Sequence, residues 1–193
     1  MAIVGYTNAG KSTLLNRMTN AEVDAEDKLF ATLDPTSRRL RFPAEREIVL
    51  TDTVGFIRNL PKDLVHAFRS TLDESVEADL LLLVVNGADE EASFQKTTVE
   101  ATLAELGAGD VPRLVVINQV DRADPQRVAE LLREWNATGV SAITGEGTRS
   151  LLDQVERAIF RERAANRHAA TNGDGTLAGG DNAVSWPASA IEP

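Results

Sequence analysis

The chain contains no cysteine. It therefore forms no disulfide and offers no thiolate to a metal, a composition that fits a cytosolic protein. Histidine is scarce as well. His66 and His168 are the only two, and neither stands in a Ser-His-Asp or metal-cluster spacing. No apolar run approaches the roughly 18 residues that a membrane helix needs. The longest, LLLLVV at 80–85, reads as a buried strand. No basic stretch followed by an apolar one opens the chain, so no signal peptide is expected. Positive charge is also in deficit. The net charge is −10, and an acidic chain is a poor generic ligand for nucleic acid, whose phosphates need clustered Lys and Arg. Few of the basic residues are lysine: Lys11, Lys28, Lys62 and Lys96. A high-salt cytoplasm, where charge repulsion is screened, and a GC-rich genome using Arg codons both account for that balance.

What remains is ordinary material for one domain with a sizeable core: 193 residues, 42% of them hydrophobic. Strand-like and helix-like stretches alternate. AIV (2–4), LRF (40–42), REIVLTD (46–52), ADLLLLVVN (78–86), PRLVVIN (112–118) and GVSAI (139–143) read as strands. Helices are predicted over 12–18, over 60–74 from apolar residues spaced three or four apart, over 93–106 with an end at Gly107, over 125–136 with Pro125 at the first helical position, and over 149–165 from an amphipathic pattern. The predicted architecture is α/β, a mostly parallel sheet with helices on both faces. Ligands of such sheets bind at the carboxyl ends of the strands. The domain is expected over residues 1–165, with a first strand that is cut short. Residues 166–193, rich in Gly, Ala, Asn and Asp without periodicity, are expected to be a disordered tail.

Chemistry concentrates in the predicted loops. GYTNAGKS (5–12) fits G-x-x-x-x-G-K-[ST] between a strand and a helix. Such a loop, here Gly5, Tyr6, Thr7, Asn8, Ala9, Gly10, Lys11 and Ser12, turns its N–H groups on phosphate oxygens at a helix N-terminus. Lys11 would reach the β and γ phosphates, and the Ser12 hydroxyl would bind Mg²⁺. Asp52 ends an apolar strand in LTDTVGF, a D-x-x-G arrangement. Its carboxylate can hold the same Mg²⁺ through water, and the Gly55 N–H can sense the γ phosphate. Between these two motifs, Thr32 and Thr36 compete as the hydroxyl that completes the magnesium shell; chemistry alone does not choose.

INQVD (117–121) stands where a GTPase carries Asn-Lys-x-Asp. Asp121 can accept guanine N1–H and the 2-amino group, which adenine cannot offer. Asn118 can brace the loop and approach N7. The lysine of the motif lays its stem over the base and ties back to the phosphate loop. In its place is Gln119, shorter and uncharged, with a planar amide that can still pack on the base. The expected result is looser binding, by about 1–2 kcal/mol, with guanine choice retained.

The segments GYTNAGKSTLLNRMT, LFATLDPTSRRL and LTDTVGFIRNLPKDLVHAFRSTLDE resemble the GTPase domain of the HflX family, in the Obg–HflX group of translation-factor-related GTPases. The resemblance covers roughly residues 1 to 160 and implies a P-loop NTPase fold of the Ras-like G-domain type. It implies GTP hydrolysis to GDP and phosphate, with the nucleotide state coupled to the large ribosomal subunit and to splitting or rescue of ribosomes under stress. Family members usually carry a further domain N-terminal to the GTPase. By motif position, Thr32 becomes the γ-phosphate-sensing threonine. Phe30, Ala31, Thr32, Leu33 and Asp34, together with Asp52, Thr53, Val54 and Gly55, become nucleotide contacts. Asn118, Gln119, Val120 and Asp121 fall on the base motif, and Ser141 with Ala142 on the last guanine loop.

Hydrolysis is expected to be slow. Ras-like GTPases orient the attacking water with a Gln after D-x-x-G; here Phe56 follows. By resemblance, Asn8 can hold a K⁺ near the β and γ phosphates, while the plainer reading has it hydrogen-bonded within its own loop. The catalytic set is therefore Lys11, Thr32, Gly55 and Asn8, and the metal set Ser12, Thr32 and Asp52. A monomer in the cytoplasm, binding GTP or GDP with Mg²⁺, is the leading expectation. Its rivals are a nucleotide-binding interaction module with negligible hydrolysis and a relaxed NTPase that also takes ATP.

Overall fold

The computed structural model describes residues 1–19, 36–42, 46–52 and 76–161. The predicted helix over 60–74, the segments 30–34 and 53–56, and the tail 166–193 lie outside the described residues. Among the described residues six strands form one sheet: β1 (Ala2–Gly5), β2 (Thr36–Phe42), β3 (Arg46–Asp52), β4 (Leu81–Asn86), β5 (Arg113–Asn118) and β6 (Thr138–Gly139). Their order across the sheet is β2-β3-β1-β4-β5-β6. Only the β2–β3 pair is antiparallel; the rest are parallel. The described helices are α1 (Lys11–Thr19), α2 (Ala92–Glu105), α3 (Pro125–Glu134) and α4 (Thr148–Glu156), the last continued by a π-helical turn at Arg157–Arg161.

Alternation along the central strands builds two cores. Ile3 on β1, with Leu82 and Val84 on β4, packs on one face against Leu14, Leu15 and Met18 of α1 and Leu151, Leu152 and Val155 of α4. Ala2 and Val4, with Leu81, Leu83 and Val85, pack on the other against Val99 and Leu103 of α2 and Leu131 of α3. A strand apolar at every position is what a sheet covered on both sides requires. Helices on both faces, as predicted, follow from that. Each fully buried Leu or Val contributes about 1.5–3 kcal/mol over its exposed state.

Several boundaries depart from expectation. β2 is expected over 40–42 but begins at Thr36, pulled into the ladder by its antiparallel pairing with β3, and β4 is expected over 78–86 but begins at Leu81. The last strand was predicted over 139–143 but pairs only at Thr138–Gly139, plus the Val140 N–H to Ile117 carbonyl bond at 2.8 Å. From Ser141 the chain turns away, because the Ser141 N–H bonds the Glu146 carbonyl at 2.9 Å and the Gly145 N–H bonds the Ser141 carbonyl at 2.8 Å. The final helix, predicted over 149–165, keeps α-helical geometry only to Glu156. In the wider turn that follows, Ile159 is buried and the Phe160 ring meets Phe42 edge-on at 5.7 Å. The start of α3 behaves as its Pro125 suggests, with the Asp124 carboxylate accepting the Arg127 N–H at 2.9 Å.

Candidate functional site

The parallel strands present their carboxyl ends at one edge, and every described motif loop leaves from that edge. The loop after β1 climbs from Gly5 to Lys11 at the start of α1. Gly5 is required by crowding: a Cβ there would collide with the Val84 carbonyl of β4. Gly10, at φ +83°, is required by a different neighbour, since its Cβ would collide with the side-chain amide of Asn118.

Lys11 lies buried at the head of α1, and its ammonium donates to the Tyr6 carbonyl at 3.2 Å. Burial lowers its pKa from 10.5 to about 8, against a smaller upward pull from Asp52. The next residue, Ser12, donates its hydroxyl to Asp52 Oδ2 at 2.6 Å, a short charge-assisted bond. Asp52 is the last residue of β3, beside Ile3 of β1 and opposite Thr36 of β2. A hydroxyl and a carboxylate in contact are hard oxygen donors of the kind Mg²⁺ takes. Among the described residues no three His, Cys, Asp or Glu side chains cluster as a metal cage. Magnesium uses few protein ligands and completes its shell with water and substrate phosphates.

The loop after β5 is bound to the phosphate loop by two side chains. Asn118, 1% exposed, donates Nδ2 to the Ala9 carbonyl at 2.9 Å, and its Oδ1 accepts the Ala142 N–H at 3.1 Å. One buried amide thus joins the phosphate loop, the base-motif loop and the loop after β6. Gln119 donates Nε2 to the Asn8 carbonyl at 3.2 Å, while its Oε1 faces Arg122 Nη1 at 3.4 Å. Asn8 and Gln119 both hold left-handed backbone, φ +60° and +62°. Asp121 is exposed and makes no hydrogen bond or ion pair among the described residues, so its carboxylate is available to donors from a ligand.

The structure therefore brings together Gly5 to Ser12, Asp52, Asn118 to Asp121, and Ser141 with Ala142. Phe30 to Asp34, Thr32 among them, and Thr53 to Gly55 lie outside the described residues. Thr36, the rival of Thr32, is the first residue of β2. Sequence reasoning missed two features. Arg17 reaches from α1 to the carbonyls of Ala142 and Ile143; an arginine on an amphipathic helix carries no signal of so distant a partner. A cavity of about 550 Å³ opens beside the Gln119–Asn8 contact, lined by Asn86, Asp89, Glu90, Glu91 and Arg122 as well.

A strand–loop–helix phosphate cradle at the carboxyl edge of a parallel sheet, tied directly to a base-motif loop, defines a P-loop GTPase domain. The family model described as 50S ribosome-binding GTPase matches residues 1–119. The chain is 49% identical over 164 residues to the GTPase HflX of Caldanaerobacter subterraneus subsp. tengcongensis, covering 84% of this chain and 37% of that protein. Among solved structures, a GTP-binding protein of Sulfolobus solfataricus in complex with GDP is 30% identical at a TM-score of 0.62, covering 81% of this chain and 51% of that one. Era of Aquifex aeolicus, bound to GDP·AlF4⁻, shares the fold at a TM-score of 0.65 and 23% identity, with 81% and 55% covered. The chain belongs to the 50S ribosome-binding GTPases and, within them, to the HflX GTPases. It spans 37–38% of the length of two of the HflX proteins it matches. Among the described residues, no helix is long and apolar enough to cross a membrane.

Proposed function

We propose that this chain binds GTP with Mg²⁺ in the cytoplasm and hydrolyses it slowly to GDP and phosphate, and that the nucleotide state governs association with the large ribosomal subunit. The observation that carries the reading is Asn118, whose buried amide bonds the phosphate loop and the loop after β6 at once. That arrangement holds a phosphate cradle and a base pocket at fixed separation, as a nucleotide requires. The loop N–H groups and Lys11 take the phosphates. Ser12 and Asp52 would hold the magnesium, which when bound neutralises charge developing on the β and γ oxygens. Asp121 takes guanine N1–H and the 2-amino group, Asn118 approaches N7, and Gln119 covers the base. Thr32 and Gly55 report the γ phosphate. The ribosomal part, with its splitting or rescue of ribosomes under stress, rests on the family.

Asn8 is the candidate ligand of a K⁺ that would supply catalytic charge. It is exposed at the rim of the loop, and its side-chain amide makes no hydrogen bond among the described residues. That favours a K⁺ ligand over a strut within the loop. Phosphate release measured in K⁺ and in Na⁺, with and without large ribosomal subunits, tests the whole reading. Faster release in K⁺ and stimulation by subunits are expected. Equal rates in the two salts remove the Asn8 role. Phe56, the apolar residue after D-x-x-G, favours the second reading, a module that signals by occupancy; no release under any condition would establish that one.

A further inference from the structure

Arg17 lies on α1, the helix that begins with Lys11 and Ser12. Its guanidinium reaches across 125 residues of sequence to donate Nε to the Ala142 carbonyl at 2.9 Å. Nη2 donates to the next carbonyl, that of Ile143. Gly145, at φ +86°, folds over the same group, close enough that a Cβ there would sit 3.8 Å from Arg17 Cζ. A guanidinium is planar and presents its donors in a fixed fork, so two consecutive carbonyls gripped by it lose their freedom to rotate. The loop needs such a grip. Ile143 is 67% exposed, and beyond the short β6 no ladder holds the segment. Its other restraints include the Ala142 N–H on Asn118, the Thr144 N–H on the Ser141 hydroxyl at 3.1 Å, and the main-chain bonds that close the turn between Ser141 and Glu146; none of these holds the Ala142 and Ile143 carbonyls.

We infer that Arg17 is a positioning residue for base recognition. It touches no ligand. It holds the carbonyl side of the Ala142–Ile143 segment so that the opposite, N–H side of the loop stays against Asn118 and toward the base. The inference rests on the proposed reading in which guanine lies between Asp121 and the loop after β6. Because the fork springs from α1, the base loop is indexed to the helix that carries the phosphate ligands. Arg17 itself is half-buried and lies away from the start of that helix, so its loss leaves Lys11 and Ser12 in place.

The test is equilibrium binding of GDP and of ADP to the full chain as wild type, Arg17→Ala and Arg17→Lys, with GDP dissociation rates. For Arg17→Ala we expect GDP affinity to fall about tenfold, through faster dissociation, with ADP affinity unchanged within about twofold. The GDP-to-ADP preference then drops by about the same factor. Arg17→Lys keeps the stem and charge but cannot fork, and should fall between wild type and Arg17→Ala; it decides the matter if Arg17→Ala does not fold. GDP affinity unchanged in both variants overturns the inference, and so does an equal loss for GDP and ADP, which would place the effect on the phosphate end. Wild type that fails to prefer GDP over ADP overturns the guanine reading itself and the inference with it.

Discussion

The side-chain amide of Gln119 donates to the main-chain carbonyl of Asn8 at 3.2 Å, and each residue stands in the left-handed region to allow it. Left-handed backbone costs a residue like glutamine about 1–2 kcal/mol. Such strain persists where the surroundings over-determine it, and it gathers at functional sites. The tie from base motif to phosphate loop, which lysine makes in Asn-Lys-x-Asp, is thus made here by an uncharged amide. Gln119→Ala is expected to weaken GDP and GTP alike by about threefold to tenfold, with preference over ADP retained. Gln119→Lys is expected to tighten both by about 5- to 30-fold, because it restores stem length and charge while keeping the tie. Competition binding with the three nucleotides checks both. Unchanged affinity in Gln119→Lys would defeat the account of a weakened lid.

The buried ammonium of Lys11 links binding to pH. In the free protein its pKa is lowered to about 8 by burial. A phosphate beside it favours the charged form and returns the pKa toward 10.5. Between those values binding draws in a proton, so affinity falls as pH rises. From pH 7 to 8.5, below the range in which guanine itself loses a proton, GDP affinity should drop about fourfold. Titration calorimetry in two buffers of different ionisation enthalpy would also show proton uptake. A flat profile with no uptake would mean that Lys11 is fully charged before the ligand arrives.

The 2.6 Å bond from the Ser12 hydroxyl to Asp52 places the two proposed magnesium residues in contact. Ser12→Ala and Asp52→Asn each remove part of that oxygen pair. Asp52→Asn keeps a partner for Ser12 yet deletes the charge. Both variants should lose most of the difference in GTP affinity between magnesium and chelator, by about tenfold or more. Binding measured with and without EDTA decides it. A variant whose magnesium dependence matches wild type has no metal role.

Leu82, the second residue of β4, is fully buried on the face shared with α1 and α4. Leu82→Ala should destabilise the domain by about 2–5 kcal/mol, from lost burial and the cavity left behind. A urea midpoint that moves by under a tenth of the wild-type value would show that the core closes over the gap.

Legibility followed locality. β4 and β5 could be read because a strand covered on both faces is apolar along its whole length, and the phosphate loop because its eight residues are contiguous. Ends were read less well. β6 stops at Gly139 because Ser141 finds a partner in Glu146, and α4 widens after Glu156 where Phe160 meets Phe42. Those choices are made by neighbours, not by propensity. Gln119 shows the same limit from the other side. Its residue type argued only for looser cover of the base, whereas the reach of its amide to the phosphate loop depends on two backbone conformations in loops far apart in sequence. Arg17 was invisible for that reason too, since its partners are main-chain carbonyls that no pattern marks.

Gly10 and Asn118 carry one further consequence. With no side chain on Gly10, the Asn118 amide closes directly on the loop that wraps the phosphates. In the proposed reading the two ends of the nucleotide are gripped by a single stiff jaw, and a defect cut into one edge of it travels to the other. A side chain added at Gly10, within the phosphate signature, would present as trouble in telling one base from another.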